Sequence, residues 1–118
     1  MNDQEIARAG AEASEAKKAS DVLMLDVTQC SPICDYVVLA SGTTRLQIRA
    51  IANAIDESLK SIKAPRRRQG FRAGGWILLD YGTVVFHVFL VEEREYYNLE
   101  GLLSAAPVLY RGKEGTPH

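Results

Sequence analysis

The spacing of apolar residues changes several times along the chain, and each change predicts a new element. Residues 22–27 and 36–40 are short apolar runs that predict two strands. The second run is unbroken, which predicts burial on both faces. A helical spacing follows and predicts the clearest amphipathic helix, with Thr43 or Thr44 as its cap. Its apolar positions are Ile48, Ile51, Ala52, Ile55, Leu59 and Ile62.

The remaining segments complete an α/β pattern. Residues 3–19 predict a helix whose apolar stripe, formed by Ile6, Ala9, Ala13 and Ala16, is thin, so we expect it at the edge of the domain. Residues 28–35 predict a loop and residues 63–74 a linker. A short helix through residues 96–103 and an edge strand after Pro107 are expected next. The predicted order is α-β-β-α-β-β-α-β with a mixed sheet, in one domain over residues 1–111, followed by a disordered tail at 112–118.

The segment from residue 75 to residue 90 predicts a β-hairpin with a sharply divided pattern. Gly82-Thr83 suits a type II′ turn, which fixes the register of the two strands. One face then carries an almost wholly apolar set, which predicts a core: Ile77, Leu79, Tyr81, Val84, Phe86 and Val88. The other face combines large rings with a carboxylate and an imidazole: Trp76, Leu78, Asp80, Val85, His87 and Phe89.

This second face has the composition of a docking surface, because it is too polar for a core and too apolar for an ordinary surface. The residues predicted to bind a partner are Trp76, Leu78, Asp80, His87 and Phe89, with Tyr36 of the neighbouring strand as a weaker candidate. An exposed tryptophan is a typical interface anchor, although a lone tryptophan more often belongs to a core. No nucleophile is patterned beside His87, which favours an interface or structural histidine over a catalytic base.

Composition narrows the function classes. The chain has 118 residues, 47% hydrophobic and 25% charged, which is typical of a soluble globular protein. A net charge of −1 argues against binding nucleic acid mainly by phosphate neutralisation. No apolar run is long enough for a membrane span and no secretory signal begins the chain, so we expect a cytoplasmic protein. Cys30 and Cys34 have no further ligands nearby, so we predict two thiols, no metal site and no cofactor.

Two other function classes remain open. The turn from Ser41 to Thr44 lies between a strand and a helix, where backbone N–H groups can hold a phosphate, as in a nucleotide-binding or nucleotidyltransferase-like enzyme. Such an enzyme also needs two carboxylates at alternate strand positions to bind Mg²⁺, and no Asp-x-Asp pair is present. Arg66, Arg67 and Arg68 in the linker fit either a contact to RNA phosphates or a solvated loop.

Several blocks of sequence together resemble the ribosomal silencing factor family, also called the Iojap family. The most specific part is Trp76–Gly82, Val88-Phe89 after His87, and Arg94-Glu95-Tyr96-Tyr97-Asn98-Leu99-Glu100. Leu25-Asp26-Val27, Asp35-Tyr36, Ser41-Gly42-Thr43 and Ala50-Ile51-Ala52 add to it. The resemblance covers about residues 3 to 107. The chain departs from the common pattern at Gln69, Thr83 and Leu103, the last replacing a frequent tryptophan.

The resemblance implies a fold, a partner and a mechanism. It implies a trimmed nucleotidyltransferase-like fold without enzymatic activity, and leaves a homodimer open. It implies binding to the large ribosomal subunit through ribosomal protein fourteen of that subunit, on the face where the small subunit docks. Translation would then be repressed because the subunits cannot join. The family's tryptophan corresponds to Trp76 and belongs to the partner-contacting surface, where Asp80 would suit a basic ribosomal partner.

Overall fold

The computed structural model describes residues 1–72 and 74–112. Apart from Gly112, the predicted tail lies outside the described residues. The elements in chain order are α1 (Asp3–Ala16), β1 (Ser20–Asp26), β2 (Tyr36–Gly42), α2 (Arg45–Leu59), β3 (Arg67–Gln69), β4 (Trp76–Asp80), β5 (Val84–Leu90), α3 (Val91–Tyr97), α4 (Leu99–Leu102) and β6 (Val108–Arg111).

The strands form one six-stranded sheet in the order β3-β4-β5-β2-β1-β6. β2 and β5 pair in parallel, and the other neighbours are antiparallel, so the predicted mixed α/β sheet is confirmed. The expected edge strand after Pro107 is β6, paired with β1. Pattern analysis missed β3, because its three polar, exposed residues show no apolar alternation and are ordered by pairing with β4.

The predicted hairpin register is confirmed. Trp76 pairs with Phe89, Leu78 with His87 and Asp80 with Val85. The turn is closed by the Tyr81 N–H, which donates to the Val84 carbonyl at 2.8 Å. Gly82 has a φ of +87°, the left-handed region that an L side chain adopts only at a cost. The alternation of side chains between the two faces therefore follows from the turn.

Helix α2 forms as its pattern predicts. The Thr44 side chain caps it by accepting the Gln47 N–H at 3.0 Å. The residues that it buries against the sheet are Ile48, Ile51, Ala52, Ile55 and Leu59. Ile62 was expected on the same stripe, but it lies beyond the end of the helix and is 40% exposed.

Helix α1 corrects two expectations. Its buried face is formed by Ile6, Ala7, Gly10, Ala11 and Ser14, whereas Ala9 and Ala13 are only partly buried and Ala16 is exposed. The helix packs on the core beside α2 rather than at the domain edge. Its small residues permit a close approach, since a Cβ on Gly10 would lie 2.1 Å from the Phe86 ring. The thin apolar face of α1 therefore reflects a close approach of the helix to the sheet, not a position at the edge of the domain.

Both faces of the sheet carry buried clusters. The larger cluster lies between the sheet and helices α1 and α2, and contains the predicted apolar face of the hairpin. The smaller cluster lies on the opposite face and contains Leu23, Leu25, Val27, Val37, Leu39, Phe89 and Ala106. Leu99 and Leu103 pack against it, so the segment after β5 folds back over part of the second face. The rest of that face is the candidate site.

Candidate functional site

The candidate site is the uncovered part of the second sheet face, centred on the hairpin of β4 and β5. Trp76, Leu78, Val85 and His87 are partly exposed there, while their strand neighbours on the first face are fully buried. Successive residues of a strand point to opposite faces, which places these four side chains side by side. We call Trp76, Leu78, Val85 and His87 the hairpin surface.

Trp76 is held by three aromatic neighbours. Its ring centroid lies 4.8 Å from that of Phe89 and 4.8 Å from that of Tyr97. The indole N–H donates a 3.0 Å hydrogen bond to Nδ1 of His87 on the adjacent strand. The ring is therefore fixed in orientation while part of it stays accessible, as a pre-organised contact residue requires.

His87 is a neutral residue of this surface. Burial lowers its pKa from 6.5 to about 4, because the charged ring would lose hydration. The Nδ1 atom accepts the indole proton, so the neutral ring carries its own proton on Nε2. An imidazole with this pKa and this bond serves to orient Trp76.

Asp80 does not form the exposed rim charge that the sequence predicted. Its side chain is 12% exposed and lies 3.3 Å from Nη2 of Arg67. The other carboxylate oxygen accepts the N–H of Gly82 at 2.8 Å. The short reach of an aspartate lets it close its own hairpin turn, which is a local interaction that alternation does not reveal. Asp80 therefore stabilises the hairpin from beside the hairpin surface.

Two further predicted residues lie elsewhere. Phe89 is on the second face but is 0% exposed, because α4 and the chain after it cover that end of the sheet. It supports the indole from within the protein. Tyr36 pairs with Val84 and packs against the larger cluster, which puts it on the opposite face. The structure brings together Trp76, Leu78 and His87, with Phe89 beneath Trp76, and separates Tyr36 from them.

A groove of about 350 Å³ continues the hairpin surface toward the loop after β1. Its walls are apolar for the most part and come from segments distant in sequence, including Ile33, Val37, Leu78, Val85, Leu99 and Leu103. Ile33 is 84% exposed at one margin. The apolar pattern predicts only a loop at residues 28–35, because nothing in the pattern shows which face a loop covers. Leu103, which stands where the family frequently has tryptophan, also lines this groove.

Tyr96 and Tyr97 extend the exposed aromatic area beside Trp76. Tyr97 is 48% exposed and packs on the indole, and the Tyr96 ring meets Tyr97 edge to face at 5.1 Å. Leu102 is 79% exposed. The sequence assigned these residues to a short helix, and the signal that could have found them is the aromatic pair next to an acidic helix start.

A buried arginine holds this segment in place. Arg94 forms a bidentate ion pair with Glu100, with N–O distances of 2.8 and 3.1 Å. Its remaining terminal nitrogen donates to the Asp21 carbonyl at 2.6 Å and to the Ser41 hydroxyl at 2.8 Å. Arg94 thereby fixes α3 and α4 to the ends of β1 and β2. This is a structural role for the motif at residues 94–100, which begins with Arg94 and ends with its partner Glu100.

Polar groups of the turn from Ser41 to Thr44 form hydrogen bonds within the protein. The Thr43 N–H donates to Oε1 of Gln47 at 2.8 Å, Thr44 caps α2, and Ser41 binds Arg94. Within residues 1–72 and 74–112, no group of three or more His, Cys, Asp or Glu side chains is arranged to hold a metal ion. This turn acts as a helix cap in the described structure.

The linker arginines have two different environments. Arg67 pairs with Asp80, and Arg68 lies 2.6 Å from Asp56 and stacks on the Phe71 ring. Arg66 is exposed at the margin of the groove.

Cys30 and Cys34 are free thiols, and burial raises the pKa of the Cys34 thiol. No described helix is long and apolar enough to cross a membrane.

Comparisons with known proteins place the chain in a family. The family described as "Ribosomal silencing factor during starvation" matches residues 1–116. The chain belongs to this ribosomal silencing factor family. It is 38% identical over 109 residues to "Ribosomal silencing factor RsfS" of Bacillus subtilis, with 92% of each chain covered. Membership places its function in ribosome assembly and translation control.

Two further relatives extend the comparison. A crystal structure of a protein from Chromobacterium violaceum superposes with a TM-score of 0.85 at 33% identity, covering 88% of both chains. The mouse protein named "Mitochondrial assembly of ribosomal large subunit protein 1" is 30% identical over 90 residues, which is 73% of this chain and 40% of the mouse protein. The silencing-factor fold thus accounts for nearly the whole of the present chain.

Proposed function

We propose that this protein binds the large ribosomal subunit through the hairpin surface and its adjoining groove, and so blocks the small subunit from joining. The observation that carries the proposal is the rigidly held, partly exposed Trp76 beside an apolar groove. A fixed aromatic ring loses little conformational entropy on binding, so most of its contact area contributes to affinity. A relative named for large-subunit assembly supports the choice of subunit.

The partner on that subunit is ribosomal protein fourteen. This assignment comes from the family resemblance, and the charges next to the hairpin surface support it. Glu92 and Glu95 are exposed on α3, which carries Tyr97 at its end, and Glu93 is partly exposed. Carboxylates at the margin of an apolar centre favour a basic protein, since they steer association and orient the complex. A factor of ribosomal subunits acts where those subunits are, in the cytoplasm.

The proposed function is non-enzymatic. The bound protein blocks the small subunit sterically. His87 is neutral and committed to the indole, and the Ser41–Thr44 turn is committed to Gln47, Arg94 and the cap of α2. A nucleotide that occupied this turn would have to displace those bonds. We therefore expect ATP, GTP and CTP with Mg²⁺ to leave the melting temperature unchanged, whereas ligand at 100 times its Kd would stabilise by about 2.7 kcal/mol.

The binding test uses Leu78→Glu, which places a charge in the groove and leaves the Trp76–His87 bond in place. Ile62→Glu is the matched control, because Ile62 is a 40% exposed apolar residue just after α2. We expect Leu78→Glu to lower affinity for purified large subunits at least about 30-fold, since an unpaired charge would be buried at the interface. The measurement is co-sedimentation over a range of subunit concentrations.

A melting curve for each variant separates binding from folding. The proposal requires that Leu78→Glu remain folded and lose binding, while Ile62→Glu binds like the unmodified protein. Equal affinity of the folded Leu78→Glu variant would overturn the hairpin surface as the docking site.

A further inference from the structure

A second charged surface surrounds the first turn of α2. The Gln47 side chain donates to the carbonyls of Lys17 and Lys18 at 3.5 and 3.2 Å, which brings the end of α1 to one flank of this turn. On the other flank, Arg49 donates to the Phe71 carbonyl at 3.5 Å. The exposed cations that meet here are Lys17, Lys18, Arg45, Arg49 and Arg72, and we call them the basic rim.

The basic rim takes no part in the ion pairs of the described residues. In residues 1–72 and 74–112 those pairs are Arg8–Glu12, Lys60–Glu57, Arg67–Asp80, Arg68–Asp56 and Arg94–Glu100. Five cations that gather outside these pairs, in a chain whose net charge is −1, make a local positive field that a compact anionic partner would complete.

The chemistry of the rim fits a phosphodiester backbone better than a protein surface. Lysine is depleted at the centres of protein interfaces, whereas lysine and arginine supply most contacts to nucleic-acid phosphates. The rim also encircles the N-terminus of a fifteen-residue helix, where the helix dipole adds partial positive charge. Of the three arginines first considered for RNA, Arg67 and Arg68 are paired with Asp80 and Asp56, and Arg66 is exposed at the margin of the groove.

The rim and the hairpin surface lie at the same end of the sheet, on its opposite faces. Trp76 begins β4 opposite Phe89, and Phe89 pairs with Ser41 near the end of β2. β2 ends at Gly42, two residues before the Thr44 cap of α2. A partner that covers Trp76 and extends past this end of the sheet would reach the rim, as expected where protein and RNA lie side by side on a ribosomal surface.

We propose that the basic rim binds the phosphate backbone of ribosomal RNA beside the docked ribosomal protein. This inference rests on the proposed function for the source of the RNA. The rim adds salt-dependent affinity and fixes the orientation of the protein on the subunit, while the hairpin surface supplies the salt-insensitive part of the binding energy.

The first test compares salt dependence. Arg45→Gln/Arg49→Gln removes two rim charges, and Lys60→Gln/Lys63→Gln removes two charges at the other end of α2 as a matched control. Affinity for large subunits is measured between about 50 and 200 mM salt. We expect the rim variant to bind several-fold more weakly, with a slope of log K against log salt shallower by about two, and the control to match the unmodified protein.

The outcomes separate this inference from the docking proposal. An unchanged slope in the rim variant overturns the RNA assignment and leaves docking by Trp76 standing. Weaker binding with an unchanged slope also overturns it, because the cations would then contact protein. Leu78→Ala, which changes no charge, should weaken binding without changing the slope, and unchanged affinity of this variant counts against the hairpin surface only.

Cross-linking gives an independent readout. Ultraviolet irradiation of the protein on large subunits, followed by nuclease and protease digestion, should yield a peptide containing residues 45–49 that carries a ribonucleotide. Cross-links from this peptide to ribosomal proteins alone would contradict the inference.

Discussion

Trp76 and His87 stabilise each other across neighbouring strands, and each explains the state of the other. The indole needs an acceptor once it is partly buried, and Nδ1 supplies one at 3.0 Å. Burial disfavours the charged imidazole and lowers the pKa of His87 to about 4. The neutral ring keeps Nδ1 available to accept the indole proton. Trp76, which we propose as a docking residue, and its orienting partner thus form one unit.

This unit predicts a pH dependence of stability. His87 binds a proton in the unfolded chain below its ordinary pKa of 6.5, but in the folded protein only below about 4. Stability from this group is therefore complete above pH 6.5 and falls as the pH drops toward 4, by at most about 1.4 kcal/mol per unit. Urea unfolding of the protein and of His87→Gln between about pH 7.5 and 4.5 measures it. Parallel pH profiles for the two proteins would contradict the assignment.

Asp80 predicts a graded effect on the hairpin. Asp80→Asn keeps an oxygen for the Gly82 N–H and loses the ion pair with the mostly exposed Arg67, so we expect a loss under about 1 kcal/mol. Asp80→Ala loses both interactions and leaves the Gly82 N–H without this acceptor, which should cost about 1–3 kcal/mol. Chemical denaturation ranks the two variants. Equal losses would show that the turn bond contributes nothing.

Residue-level prediction succeeded where side-chain direction follows from backbone alternation. The placing of Trp76, Leu78 and His87 on one face required only the turn at Gly82. Alternation also places Phe89 and Asp80 on this face, but it does not show that both are buried, because covering by α4 and the bond to Gly82 depend on the tertiary structure. Tyr36 was the weaker candidate for the same surface. Its parallel pairing with Val84 places its side chain on the first face instead.

At the scale of elements, the segment after β5 decides how much of the second face stays open. Asn98 ends α3 with a φ of 48° and its side chain caps α4 by accepting the Gly101 N–H at 3.2 Å. One asparagine therefore breaks a single predicted helix into two short ones. Arg94 anchors the first and, through Glu100, the second.

Asn98 offers a matched pair of substitutions. Asn98→Ala loses the cap and places an alanine in the left-handed region, which should cost about 1–3 kcal/mol. Asn98→Gly loses the cap but suits the backbone, so we expect a smaller loss. Amide hydrogen exchange of residues 91–103 should be faster in both variants than in the unmodified protein, and faster in Asn98→Ala than in Asn98→Gly. An equal effect of the two would show that the left-handed backbone carries no cost.

Element-level prediction was strongest for segments with a clear period. The spacing from Ile48 to Leu59 defines α2, and the apolar run at residues 36–40 defines a central strand. The buried face of α1 was wrong because Ala, Gly and Ser carry little apolar signal, although their small size lets the helix approach Phe86. β3 was missed because pairing, not composition, makes Arg67–Gln69 a strand.

At the scale of the whole molecule, two unlike surfaces lie at one end of a single sheet, on opposite faces. The hairpin surface is apolar and aromatic, and the basic rim is cationic. The family could be inferred from sequence, because its motifs are contiguous blocks. The rim could not, because Lys17, Arg45 and Arg72 are far apart in the chain and converge only through folding.

The occlusion mechanism predicts an order effect. Protein added to large subunits before small subunits should reduce the fraction of joined ribosomes, because it occupies the face that the small subunit needs. Protein added after joining should have little effect. Gradient profiles measure both, with Leu78→Glu as the inactive comparison. Equal inhibition in either order would contradict simple occlusion.

The most direct test of the central claim is site-specific photocross-linking on the large subunit. A photoreactive phenylalanine analogue replaces Tyr97, which is 48% exposed against Trp76, and in a second protein it replaces Ile62. The account predicts that the probe at 97 cross-links to ribosomal protein fourteen and that the probe at 62 does not. Cross-links from position 62 alone would contradict it.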